Sequence, residues 1–238
     1  MNFLGQVVRW FLDGNHWQGD FGIPNRLLEH LSMSAASLAA AAIIALPIGV
    51  ALGHFGRGGN VAINVSNVGR AIPSFALLVL AVQLVGIGAL PAFIALVALG
   101  IPPMVTNSYV GMREVDADVR EAAKGMGMRQ RAILLRVELP IAIPLIMAGI
   151  RTSAVNIVAT ATLAALVAWG GLGRFIIDGF SQRDTVQIFA GAVLVALLSI
   201  GVELGLSAAQ RLTIPRGLRQ GTQEVATGQP GADLLAAA

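Results

Sequence analysis

The chain of 238 residues is 55% hydrophobic and 12% charged, with a mean hydropathy of +0.74. Ordinary globular chains carry about 25% charged residues, so a soluble domain of this size is excluded and a polytopic membrane protein is expected. Cysteine is absent, which rules out disulfides, a thiolate nucleophile and a thiolate metal site; the net charge of +3 is too small to argue for nucleic acid, and basic cytoplasmic loops account for it.

Residues 1–30 read as an N-terminal interfacial segment. Phe3, Val7, Trp10 and Phe11 recur at helical spacing around Arg9 and Asp13. An amphipathic helix on the membrane surface fits this pattern, with Trp10 and Trp17 as interfacial anchors; a frayed terminus fits it as well. Arg9 and Asp13 interrupt any cleavable-signal pattern.

Five apolar stretches follow, at 31–53, 72–90, 91–112, 139–168 and 186–210. A hydrocarbon core of about 30 Å needs roughly 20 helical residues, and in lipid only helices or closed barrels satisfy the backbone. The expectation is therefore all-α, with five transmembrane helices in one domain spanning 31–212. Basic residues concentrate on one side: Arg57 and Arg70, then Arg113, Arg120, Lys124, Arg129, Arg131 and Arg136, then Arg211, Arg216 and Arg219. The opposite side carries Arg9, Arg26, Arg174 and Arg183. The bias places the N-terminus outside and the C-terminus in the cytoplasm, which an odd number of spans permits. The tail 213–238, rich in Gly, Gln, Thr and Ala, is expected to be a disordered cytoplasmic segment.

One long charged interval, 113–140, interrupts the apolar chain. Asp116 can cap a helix whose apolar stripe is Val115, Val119, Ala122, Ala123 and Met126. Gly125 and Gly127 are expected to stop it. A second amphipathic segment follows, with Ile133, Leu134 and Val137 on one face, ended by Pro140. So long an apolar stripe on a polar loop asks for a partner.

The spacing within this interval carries a resemblance. Glu121-Ala122-Ala123, then Gly127, then Val137 and Leu139-Pro140, resembles the signature of the inner-membrane permease subunits of ABC importers, with Val137 where isoleucine is usual. The segments 72–78, 137–140, 146–152 and 159–166 resemble the osmoprotectant branch, whose members import glycine betaine, carnitine, choline or proline betaine. The resemblance implies the type I importer permease fold in a prokaryotic inner membrane. It implies that Glu121, Ala122, Ala123, Gly127, Leu139 and Pro140 belong to a coupling loop that docks in a cleft of cytoplasmic ABC ATPase subunits, where ATP and Mg are bound. It also implies a second permease copy or sister permease, a separate extracytoplasmic solute-binding protein and a lipid bilayer as partners. A methionine or other amino-acid permease shares the loop, and an ATP-independent channel or scaffold is the reading from another class.

No catalytic constellation is expected: His16, His30 and His54 are scattered, there is no phosphate-binding Gly-x-x-x-x-Gly-Lys-Ser/Thr loop, and no metal site or resident cofactor is foreseen. Pro102-Pro103 is expected to break the third span. Thr106 and Asn107 after it, and Asn156, Thr160 and Thr162 in the fourth span, are candidates for the translocation pathway, although helix–helix hydrogen bonding accounts for the same residues. Arg151 is expected to snorkel toward the cytoplasmic edge, and Glu203 to pair with a basic residue.

Overall fold

The computed structural model describes residues 2–213 apart from 57, 60–62, 65, 66, 68 and 70. The expected disordered tail beyond 213 lies outside the described residues, as do Arg57, Arg70, Arg216 and Arg219 of the charge-bias argument. Among the described residues every regular element is helical.

Helix α1 (Phe3–Leu12) starts on Asn2, whose side-chain oxygen accepts from the Gly5 N–H at 3.3 Å. It is ordered, and it packs against the last long helix. Trp10 is 8% exposed, stacks on His16 at 4.0 Å and meets Phe175 edge-on at 5.5 Å. Trp10 is thus a core residue and not the expected interfacial anchor; the apolar surface of Phe175 and Leu172 outcompetes the membrane interface for its ring. Trp17 remains half-exposed, its indole N–H donating to the Phe11 carbonyl at 2.8 Å.

Helix α2 (Ile23–Phe55) begins with Pro24 in its first turn, ahead of the expected start of the span, and closes on Gly56 at φ 64°. Among the described residues, four stretches are long and apolar enough to cross a membrane: Ile23–Phe55, Ala89–Arg113, Gln130–Val167 and Thr185–Arg211. The expected span 72–90 contains instead helix α3 (Ser74–Val85), 12 residues long. At about 1.5 Å per residue it reaches roughly 18 Å, short of a 30 Å hydrocarbon core. Gly86 at φ 82° and Gly88 at φ 143° end it, because they turn the chain through backbone conformations that side-chain-bearing residues rarely adopt.

Helix α4 (Ala89–Arg113) runs through Pro102 and Pro103 without the expected break. Both prolines are buried, and Ser153 of helix α7 (Leu139–Thr160) donates to the Gly100 carbonyl at 2.7 Å in the same turn. The α2, α4 and α7 helices meet at Gly100, where a Cβ would lie 3.0 Å from Ala41 Cβ and 2.8 Å from Ile157 Cδ1. Lipid supplies no hydrophobic drive for helices to associate, so small residues that let backbones approach carry the packing. The buried stripe of α2 has the same character, with Ser34, Ser37, Ala41, Ala45, Gly49 and Gly53 facing its neighbours.

Between α4 and α7 lie helices α5 (Ala117–Gly125) and α6 (Gln130–Ile133) and a π-helical turn at Leu134–Glu138. After α7, a 3₁₀ segment (Ala161–Val167) leads through a glycine turn to helix α8 (Gly173–Gln182). Asp184 then caps helix α9 (Thr185–Thr213), its Oδ1 accepting from Val186 N at 2.9 Å and Gln187 N at 3.0 Å. Arg151 does not merely snorkel. Its Nε lies 3.2 Å from Glu203 Oε1 and its Nη1 donates to Gln210 Oε1 at 3.0 Å, so the two in-span charges tie α7 to α9.

Candidate functional site: the charged segment and a polar cavity

Helix α5 is built by its caps. Asp116 Oδ1 accepts from the Asp118 N–H at 2.8 Å, and Asp118 adds an acid to the first turn, where the helix dipole favours it. At the other end Met128 N donates to the Ala123 carbonyl at 3.2 Å and Gly127 N to the Lys124 carbonyl at 2.9 Å, the paired bonds of a Schellman closure. Gly127 holds φ 77°, which explains why the spacing has glycine there; Gly125 is simply the last helical residue and not a second stop.

The expected apolar stripe divides between two faces. Val115 is 3% and Ala123 2% exposed, both turned into the protein. Val119, Ala122 and Met126 point outward, Met126 at 74% exposure, with Glu121 exposed beside them. The outward set forms a small apolar ridge with no bulky residue at its centre.

A buried charge cluster lies beneath α5. Glu138, 2% exposed, is hydrogen-bonded through Oε2 to His54 Nδ1 at the end of α2. Its Oε1 lies 2.8 Å from Arg120 Nε, an ion pair not aligned as a hydrogen bond. Arg120 Nη2 also donates to the Met112 carbonyl in the last turn of α4. Sequence reasoning missed this grouping, since His54 and Glu138 lie 84 positions apart. The available signal was a lone acid between Val137 and Leu139.

Pro140 does not end a helix here, contrary to expectation. Proline clashes with the carbonyl four residues earlier and lacks an N–H. The π turn widens the backbone just before it, with Leu139 N donating to the Leu134 carbonyl, and the helix continues into α7. Leu139 and Pro140 are half-buried at that junction.

The candidate pathway residues separate into two groups. Asn156 and Thr160 line a cavity of about 390 Å³ together with Ser74, Leu99 and Pro103. Pro102 and Pro103 have no N–H to offer the carbonyls of Ala98 and Leu99 one turn earlier. Among the described residues that line this cavity, none is charged. Thr106, Asn107 and Thr162 do not line it. Asn107 donates to the Pro103 carbonyl at 2.8 Å and Thr162 to the Ala159 carbonyl at 2.9 Å, so both side chains bond their own helical backbone. The Thr106 hydroxyl is buried without a partner. Among the described residues no group of His, Asp or Glu could hold a metal.

At the far end of α7, the turn 168–173 is clamped onto α2. Glu29 Oε2 accepts from the Gly171 N–H at 2.7 Å and pairs with Arg26 at 2.8 Å. His30 donates through Nε2 to the Val158 carbonyl at 2.8 Å. Trp169 packs against the core of α2, α3, α4 and α7.

The model for the binding-protein-dependent transport system inner membrane component family matches residues 39–217. The chain belongs to that family. As a member it is a multi-pass inner-membrane transport permease. A relative from Bacillus subtilis described as the glycine betaine/carnitine/choline transport system permease protein OpuCB is 38% identical over 197 residues, covering 83% of this chain and 90% of its own. The carnitine transport permease protein OpuCB of Listeria monocytogenes is 35% identical over 217 residues, 91% and 97% of the two chains. Among solved structures, inward-facing MetNI methionine ABC transporter matches with TM-score 0.70 at 22% identity, over 81% of this permease and 96% of that chain. An amino acid ABC transporter with histidines matches with TM-score 0.61 at 21% identity, over 89% and 97%. These likenesses establish the importer-permease fold.

Proposed function

We propose that this permease is the membrane subunit of an ATP-driven importer for osmoprotectants such as glycine betaine, carnitine, choline or proline betaine. The observation that carries the substrate class is the 38% identity with a glycine betaine/carnitine/choline permease across 90% of that protein. Two permease copies, or this chain and a sister, form the pathway; a separate extracytoplasmic binding protein delivers the solute. ATP and Mg bind to cytoplasmic ABC ATPases, which dock on the outward ridge of α5 around Glu121, Ala122, Ala123 and Gly127. The positive-inside bias supports an outside N-terminus and cytoplasmic α5 and C-terminus. That arrangement needs an odd number of crossings, so the short helix α3, with its flanking residues, serves as the fifth. The domain plan follows: an N-terminal segment 1–30, a transmembrane domain 31–212 with the coupling loop 113–140, and the tail.

The test is uptake of radiolabelled glycine betaine by cells or proteoliposomes carrying the assembled importer. Entry competed by choline or carnitine but not by methionine is the expected result. Competition by methionine alone overturns the substrate class, and uptake that survives inactivation of the partner ATPase overturns the ATP-driven reading.

In the pathway, Asn156 and Thr160 offer hydrogen-bonding groups to a passing solute. Each neutral hydrogen bond contributes about 0.5–1.5 kcal/mol, so Asn156→Leu with Thr160→Val is expected to lower uptake efficiency roughly five- to 150-fold. ATPase association should be unchanged. The matching pair Asn107→Leu with Thr162→Val, at residues bonded to their own helices, should leave uptake within about threefold.

A further inference from the structure

We propose that the buried cluster of His54, Arg120 and Glu138 is a mechanical joint, with Glu138 the positioning residue through which movement of α5 is transmitted to α2 and α4. The inference rests on the docking of an ATPase to α5 proposed above. The attachment of α5 is otherwise slight: of its nine residues only Ala123 is buried. One carboxylate at the head of α7 holds Arg120 of α5 at 2.8 Å and is hydrogen-bonded to His54 at the end of α2. Arg120 reaches on to the Met112 carbonyl at the end of α4. A single buried group therefore joins α5 to the three helices that converge below it, α2, α4 and α7.

The chemistry suits a force-bearing contact better than an apolar patch would. An apolar contact slides at little cost because it has no direction. Glu138 is 2% exposed, and a buried charge whose partner leaves is strongly destabilised. Arg120 cannot move away while Glu138 stays, so a displacement of α5 must draw the ends of α2 and α4 with it. Mere rigidity would not require the contact to reach three different helices.

The experiment uses the assembled importer in proteoliposomes, with ATP hydrolysis and uptake of radiolabelled glycine betaine measured on the same sample. Glu138→Gln keeps the shape and removes the charge. The expected result is normal co-purification with the ATPases, continued ATP hydrolysis, and uptake per ATP reduced about tenfold or more, in the range of typical coupling energies. Arg120→Lys, which keeps the charge but not the reach to both Glu138 and Met112, should show the same split. An unchanged uptake-per-ATP ratio in Glu138→Gln overturns the joint. Failure of all these variants to assemble, while Gly201→Ala assembles, assigns the cluster to folding alone and also overturns it. A wild-type chain that does not bind the ATPases at all would instead refute the docking reading.

Discussion

Ala122→Glu is expected to abolish co-purification of the permease with its ATPase while leaving the membrane protein folded. Ala122 is exposed at the middle of the ridge formed with Val119 and Met126, so the new side chain meets only water in the isolated chain. In the docked state the same carboxylate would be buried in an interface with no prepared partner. Leaving a charge unpaired in such a position costs about 2–5 kcal/mol, or roughly 30- to 5000-fold in affinity. The neighbouring substitution discriminates mechanism from stability. Ala123 is 2% exposed and turned inward, so Ala123→Glu should lower the yield of folded protein before docking is ever tested. Lys124→Ala, on an exposed position of the same helix, should change association by less than about 1 kcal/mol. Pull-down from solubilised membranes, with the thermal midpoint of each variant measured alone, checks all three. Undiminished ATPase capture by Ala122→Glu would remove α5 as the docking element.

The second large effect is expected at Gly173. A Cβ there would lie 2.8 Å from both Cα and the carbonyl carbon of Thr162, and its collision is with backbone that has no rotamer to yield. The strain would fall on the turn that Glu29 holds through the Gly171 N–H. Overpacking of this kind costs about 1–3 kcal/mol. For a chain of this size that lowers Tm by roughly 2–12 °C. Gly201 in α9 has nothing within 4 Å. Gly201→Ala should be neutral or stabilising, since alanine is preferred over glycine inside a helix by about 1 kcal/mol. Differential unfolding in one detergent measures the contrast directly. Equal midpoints for Gly173→Ala and Gly201→Ala would show that the approach of Gly173 to the Thr162 backbone is not a tight contact.

The charged interval was the most legible part of the chain because its information is local. Capping by Asp116, the left-handed Gly127 and the residue spacing up to Pro140 depend on neighbours a few positions away, and all can be read along the sequence. The division of the stripe was not legible. Val115, Val119, Ala122, Ala123 and Met126 are all small or apolar, and only the position of the protein body beneath α5 selects which two turn inward. The pathway candidates divide for a related reason. Polarity marks Asn107 and Thr162 as strongly as Asn156 and Thr160, but the first two are spent on their own helices. Trp10 looked like an interfacial anchor because amphipathic spacing does not reveal whether lipid or Phe175 covers the apolar face.

Composition, 55% hydrophobic with 12% charge, placed this protein in a membrane, and apolar stretches of roughly 20 residues or more made its spans helical. Residue spacing singled out the charged segment and carried the resemblance to the family. The tertiary structure decided the matters that depend on distance through space. It joined His54 to Glu138 and Arg151 to Glu203, shortened α3, and gathered Asn156, Thr160, Ser74 and Leu99 around one cavity. Short-range rules of capping and periodicity operate within a turn or two of chain. Charge pairing and cavity formation depend on which helices pack together, and that is settled by small residues such as Gly100, where Ala41 and Ile157 come from far along the chain to meet it.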